Sequence, residues 1–249
     1  MKKRIYLLLL SLIVVFLACK DNSGEFVEQL FTNDQINYAL GQCCDSTSIR
    51  TTNTLCVVDT VYNKLGYYYY DSENYRIDLP SDIKQMKEFV NINIVDTLTK
   101  YEYKYLIDSV IYYLNRAAEK CGNEITQFWL TKDINFPNPH TILHGKNSAI
   151  TDYVKKTQQS EFFSVLVSSV LVQQFNTLDV WSKWNDVLEK YRELTGEPVF
   201  SAMGILTSSA QQMVSGYFKI MALEEEAIRK DPSLRGNPNG LLYKVFATL

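Results

Sequence analysis

The chain has 249 residues, enough for one domain or two small ones, and 46% of them are apolar, so a sizeable core is possible and wholesale disorder is excluded. Its 25 basic residues face 28 acidic ones; removing Lys2, Lys3 and Arg4 with the leader read below leaves 22 against 28, a formal charge near −6. That balance argues against nucleic-acid binding and against adhesion to anionic lipid by charge alone.

The N-terminus carries the strongest signal. Lys2, Lys3 and Arg4 form a positive region, and Ile5 to Leu17 is apolar apart from Ser11 and the hydroxyl of Tyr6. Thirteen helical residues span about 20 Å, short of the ~30 Å hydrocarbon core, so the run reads as a signal peptide, residues 1–18, and not as a transmembrane helix. Phe16-Leu17-Ala18-Cys19 resembles a lipobox, although Phe16 stands where leucine is usual and Leu17 where a small residue is usual. The resemblance implies a diacylglycerol thioether on Cys19, cleavage before it and fatty acylation, with palmitate among the chains, of the new amine. Several acyl chains anchor firmly, since each buried methylene contributes roughly 0.8 kcal/mol. Residues 19–26 then form a lipidated tether, and 27–249 a single helical domain. The expected place is the cell envelope, lipid-anchored at the outer membrane, facing the periplasm or the surface. Lys20-Asp21 suits a solvated linker and also resembles a surface-export tag.

In chain order, Thr32-Asn33-Asp34-Gln35 matches a capping box, and Ser48 is placed to cap a helix from Ile49 to Lys64 that Gly66 ends. Tyr67 to Asp78 is a tyrosine-rich loop. Ser81 is placed to cap a helix through Val90. Tyr101 to Leu130 is the longest helical candidate, with Leu106, Val110, Leu114, Ala117, Cys121 and Ile125 as its apolar stripe. Pro137 and Pro139 mark a break at 135–139. Helical patterns follow at Ala149–Thr157, Glu161–Phe175 and Leu178–Leu194, then Gly196 and Pro198 interrupt. Thr207 to Lys230 is stopped by Pro232, and Leu241 to Phe246 closes the chain. Only Tyr67–Tyr70 and Val90–Val95 look β-like. The fold class is therefore all-α, one irregular multi-helix bundle.

Several segments together resemble a family of exported bacterial (lipo)proteins known only as a domain of unknown function. They are Phe31 through Ile36, Gly66-Tyr67, Leu114-Asn115-Arg116-Ala117-Ala118-Glu119, Ile142-Leu143-His144-Gly145 and Tyr153 through Thr157. The clearest runs from Glu224-Glu225 through Ile228-Arg229-Lys230-Asp231-Pro232 to Arg235. Lys146-Asn147 depart from the family pattern, which places an acidic residue soon after the glycine. The resemblance implies a helical fold and export, and no activity.

Chemistry is sparse. No serine-hydrolase elbow, phosphate-binding loop, zinc-protease helix or dinucleotide fingerprint is present. His140 and His144 share a helical face at i, i+4, at most half a metal site, so no metal and no cofactor is expected. Four cysteines follow Cys19: Cys43, Cys44, Cys56 and Cys121. In an oxidising compartment they pair or stay buried thiols, with connectivity left open. On the helix ending at Lys230, Tyr217, Ile220, Met221, Glu224 and Ile228 share one face, so Glu224 is expected buried and paired, with Arg116, Lys156, Arg229 or Arg235 as cation. A polar cluster of Arg116, Glu119, Tyr153, Lys156, Glu224 and Arg229 joining two helices is the candidate site, either a packing staple or a ligand site. The tyrosines of the first half suit an interface or an amphipathic core edge; Trp129, Trp181 and Trp184 are expected in the core.

Two functional classes stand side by side. One is an envelope lipoprotein that binds a protein or small-molecule partner and no nucleic acid, held to the membrane through lipid on Cys19. The alternative is an envelope hydrolase or transferase using Glu224, Glu119 or Tyr153 as acid–base groups. Cys19→Ser is expected to abolish incorporation of a palmitate analogue in cells, read by gel fluorescence; labelling that survives the substitution rejects the lipobox.

Overall fold

The computed structural model describes residues 31–56, 66, 75–196 and 203–249. The leader, Cys19, the 19–26 tether, most of the tyrosine-rich loop and the 57–64 part of the second expected helix lie outside the described residues. Among the described residues the fold is all-α, an irregular multi-helix bundle with no strand. Its helices are α1 (Asn33–Cys56), α2 (Ser81–Asn93), α3 (Thr97–Glu119), α4 (Gly122–Leu130) and α5 (Pro139–Leu143), then α6 (Ala149–Val165), α7 (Leu171–Thr177), α8 (Val180–Thr195), α9 (Met203–Lys230) and α10 (Leu241–Phe246). A π-helical turn at Leu166–Val170 joins α6 to α7, and a 3-10 turn at Pro232–Arg235 follows α9.

Helix α1 is the axis of the bundle. It packs on α9, α10, α4 and α5, so it is covered on several sides, and its apolar residues do not form one clean stripe. Its start follows the capping box: the Thr32 N–H donates to Gln35 Oε1 at 2.9 Å and the Gln35 N–H to Thr32 Oγ1 at 3.3 Å. Ser48 caps nothing, however. Its hydroxyl donates 2.8 Å back to the carbonyl of Cys44, and Thr47 and Thr52 bond the preceding turn in the same way. These local acceptors satisfy the hydroxyls, so this serine- and threonine-rich stretch stays helical and buried and no new helix starts at Ile49.

The expected Tyr101–Leu130 helix is two helices. Asp96 caps α3 by accepting from the Thr99 N–H at 2.8 Å and its hydroxyl at 2.5 Å, bonds that hold the Asp96 carboxyl below its usual range and start the helix four residues early. The break falls at Lys120–Cys121. At Gly122 a Cβ would stand 2.9 Å from the Cys56 Cβ, so glycine lets α4 begin against the end of α1. Val110, Leu114, Ala117, Cys121 and Ile125 of the expected stripe are all buried, and Leu106 is half-buried, so the pattern runs across the break. Val90–Val95 is not a strand: Ile83, Met86 and Val90 are buried at helical spacing, and the chain becomes extended only at Ile94.

An aromatic core ties α4, α6 and α9 together. Trp129 stacks on Tyr217 with centroids 5.7 Å apart, and Phe162 meets Tyr217 edge-on at 5.2 Å. The Tyr217 hydroxyl donates to the Ser48 carbonyl at 3.1 Å, which fixes this cluster to α1; burial drives its phenol far above the usual range. Trp129 and Trp184 lie in the core as expected, while Trp181 is half-buried and donates to Asn176.

The extended segment before α2 is held by one side chain. Asn115, fully buried on α3, accepts from the Ile77 N–H at 2.9 Å and donates to the Ile77 carbonyl at 2.8 Å, as a neighbouring strand would. Asn115→Ala leaves both backbone groups buried without partners and is expected to cost about 2–4 kcal/mol, read from urea unfolding.

Candidate functional site

Helix α9 is packed by α1 on one side and by α6 on the other, so its buried arc is wider than one stripe. Tyr217, Ile220, Met221 and Ile228 are buried as expected, but the fully buried carboxylate is Glu225 and not Glu224. Glu224 stands at the edge of the arc, its side chain 17% exposed, and pairs with Arg50 of α1 at 2.5 Å. That cation lies outside the expected set of Arg116, Lys156, Arg229 and Arg235.

Glu225 is aimed at the first turn of α6. Its Oε1 accepts from the Ile150 N–H at 3.0 Å, and its Oε2 accepts from the Thr151 N–H at 2.7 Å and the Thr151 hydroxyl at 2.8 Å. These are amide donors that a helix cannot satisfy internally, and the anion also meets the positive end of the helix dipole. No side chain of α6 caps its own start, so a carboxylate from α9 acts in that place. One turn on, Arg229 Nε donates to Glu225 Oε1 at 2.9 Å. Its other nitrogens donate to the carbonyls of Leu143 at 2.7 Å and Ile142 at 3.1 Å, at the C-terminal end of α5. The guanidinium lies 5.4 Å from the Phe246 ring centroid of α10. Arg235 closes the group: its Nε donates to the Ile228 carbonyl at 3.0 Å and its Nη2 to the Arg229 carbonyl at 2.5 Å, capping α9. Gly145 sits in the turn between α5 and α6, where a Cβ would stand 3.0 Å from the Thr141 carbonyl oxygen.

A second polar centre lies on α3. Arg116 pairs with Glu119 one turn on at 2.5 Å, with side chains 14% and 2% exposed, and the guanidinium faces the Tyr112 ring at 5.4 Å. Gly66, with φ +111°, lies so close that a Cβ would come within 2.3 Å of Glu119 Oε1; only glycine combines that backbone with that approach. The single cluster expected to join Arg116 to Glu224 is thus two: Arg116–Glu119 against Gly66, and Glu225–Arg229 between α5 and α6. Tyr153 is half-buried and donates from its hydroxyl to the Asn135 carbonyl at 2.9 Å, with its ring on Phe136. Lys156 is exposed on α6, in a shallow cleft with Phe163 and Val214.

The chemistry these groups offer is recognition of backbone. Both Glu225 oxygens and all three Arg229 nitrogens are spent on N–H, O–H, carbonyl and carboxylate partners. The four described cysteines are buried thiols. Burial first, and the Glu225 charge second, push the Cys43 thiol well up; Cys44 is pushed up to about 12, mainly by burial. Such thiols are poor nucleophiles near neutrality. The His140 and His144 rings lie 6.4 Å apart, and among the described residues no group of three or more potential ligands is placed to hold a metal.

Among the described residues, several of the most exposed large apolar side chains lie elsewhere, at the α2–α3 corner. Ile92 is 80% exposed, Val95 94%, Leu98 65%, and Tyr101 and Tyr105 68% each. Tyr101 and Tyr105 are among the first-half tyrosines that the sequence marks as suited to an interface, whereas Ile92 and Val95 are assigned to a short strand and Leu98 to no feature. Sequence reasoning missed Glu225, Thr151 and Arg50; the i, i+4 spacing of Glu225 and Arg229 is the signal that could have found the first.

The family model described as "Protein of unknown function (DUF4197)" matches residues 52–247, and the chain belongs to that family. The matched span takes in Gly66, the Leu114–Glu119 segment, Gly145 and the whole Glu224–Arg235 segment, while Phe31–Ile36 precedes it. No curated protein and no solved structure matches the chain.

Glu225→Ala leaves the Arg229 guanidinium buried and is expected to destabilise by about 3–5 kcal/mol, whereas Glu224→Ala, at a part-exposed pair, should cost less than about 1 kcal/mol. Thermal unfolding of the two variants side by side checks the assignment; equal losses would contradict it.

Proposed function

We propose that this family member is an exported lipoprotein, held to a bacterial outer membrane by lipid on Cys19, whose helical domain binds an envelope protein. The observation that carries the reading is the α2–α3 corner. Five large apolar side chains, Ile92, Val95, Leu98, Tyr101 and Tyr105, stand between 65% and 94% exposed around one helical turn-about. Contiguous exposed apolar surface on a protein in water marks a place of contact, and tyrosine is enriched where proteins meet.

The polar motif residues support the same reading by what they already do. Glu119 accepts from Arg116, Glu224 from Arg50, and the Tyr153 hydroxyl donates to a backbone carbonyl. The acid–base alternative needs one of these groups to present a proton or a lone pair to a substrate, and each already has a partner: Glu224 ties α9 to α1, Glu119 pairs within α3, and Tyr153 ties α6 to the segment before α5. Their role in this reading is to keep the bundle rigid so that the corner presents a fixed surface.

A photo-crosslinking amino acid at Leu98 or Tyr101 of the full chain in intact cells is expected to give a discrete protein-sized adduct. The same group at the exposed Tyr38 of α1 should give none. Absence of any adduct from both corner positions rejects the corner as a binding surface.

A further inference from the structure

We infer that the outward face of α3 joins two copies of this chain, packed antiparallel about a two-fold axis at Tyr105. The inference rests on the binding reading above and names the partner.

At 100° per residue, Leu98, Tyr101, Tyr105 and Tyr112 share one stripe, opposite the buried Tyr103, Ile107, Val110 and Leu114. Their exposures are 65%, 68%, 68% and 39%. The stripe is symmetric along the helix. Leu98 and Tyr112 each lie seven residues, two turns, from Tyr105. A two-fold axis there sets Leu98 of one copy on Tyr112 of the other, twice, and Tyr105 on itself. Such self-complementarity is what an isologous dimer requires.

The charges follow the same symmetry. Lys104 and Asp108 lie on one edge of the stripe, 60% and 45% exposed, and now bond each other at 3.0 Å. In an antiparallel pair like edges face each other, and the axis at Tyr105 brings Lys104 of one copy to within about 3 Å, along the helix, of the level of Asp108 of the other. The bond within one helix can therefore be exchanged for two between copies.

Area agrees. With Ile92 and Val95 at its end, the stripe exposes on the order of 700 Å² of side chain, scaled from the ~200 Å² of a full aromatic residue. A standard interface takes about 800 Å² from each partner. A lipid surface fits less well, because Glu102 and Asp108 flank the stripe with Lys104 as the one lysine beside them, so the face carries no net positive charge.

Native mass spectrometry of the full chain in mild detergent is expected to give a dimer. Tyr105→Cys, oxidised with copper phenanthroline, should form a covalent dimer, while the parent chain under the same treatment should not. The double variant Tyr101→Glu, Tyr105→Glu should weaken self-association by about a hundredfold at unchanged melting temperature, since both residues lie on the surface. A monomer that gives no Tyr105→Cys crosslink overturns the proposal. So does a monomer whose Val95, labelled through Val95→Cys with an environment-sensitive dye, is quenched by brominated phosphatidylcholine vesicles, which would make lipid the occupant. If the monomer still gives a protein adduct from Leu98 in cells, the binding reading stands and only the second copy is wrong; if neither is seen, both fail.

Discussion

The fold turns on one ion pair and what it touches. Glu225 and Arg229 attract each other across a single turn of α9, yet their main work is done on backbone that belongs to other helices. A helix start leaves amides without partners and a helix end leaves carbonyls without partners, and both are costly when buried. The carboxylate takes the first need and the guanidinium the second, each with the sign of charge that the local dipole favours. Arg235 repeats the arrangement at the end of α9 itself. A buried pair is weak support for stability when it replaces a good apolar core. Here it lies where two helix ends, the start of α6 and the end of α5, would otherwise be unsatisfied.

With those ends fixed, the rest of the packing has little freedom. Helix α5 meets α6 through a turn too tight for a side chain at Gly145, and α9 lies over both. Helix α1 runs beneath, the hydroxyls of Thr47, Ser48 and Thr52 satisfied within its own turns and its Ser48 carbonyl taken by Tyr217. The second centre, around Glu119, uses steric closeness where the first uses hydrogen bonds: Gly66 fits against a carboxylate because it has no Cβ. Both centres convert polar groups into geometry, while the corner between α2 and α3 turns large apolar side chains to water.

The helical class was legible because apolar residues recur at three and four over most of the chain, and because Thr32 and Gln35 stand at the reciprocal spacing of a capping box. Boundaries were less so. Ser48 looked like a cap because serine favours helix starts, but the same hydroxyl is equally satisfied by a carbonyl one turn back, and composition does not separate the two. The division after Glu119 depends on Gly122 meeting Cys56, a contact between positions far apart in sequence. The candidate site was half legible. Arg229 and Arg235 were singled out through the segment that contains them, and a buried carboxylate was expected on the right helix. Its identity was misplaced by one residue because a helix covered on two sides buries an arc wider than one stripe. The partner of Glu224, Arg50, carried no local mark, since an ion pair between α1 and α9 leaves no periodicity in either.

Order of synthesis gives the Glu225–Arg229–Arg235 group a further meaning. The amides at the start of α6 and the carbonyls at the end of α5 are made well before the side chains that satisfy them, which come with the last helices of the chain. Until residues 225–235 arrive, the α5–α6 turn has its backbone groups open to water and the bundle lacks its closing piece. A chain cut before Glu225 would therefore keep every helix up to α8 and still leave the α6 amides and the α5 carbonyls without those side-chain partners.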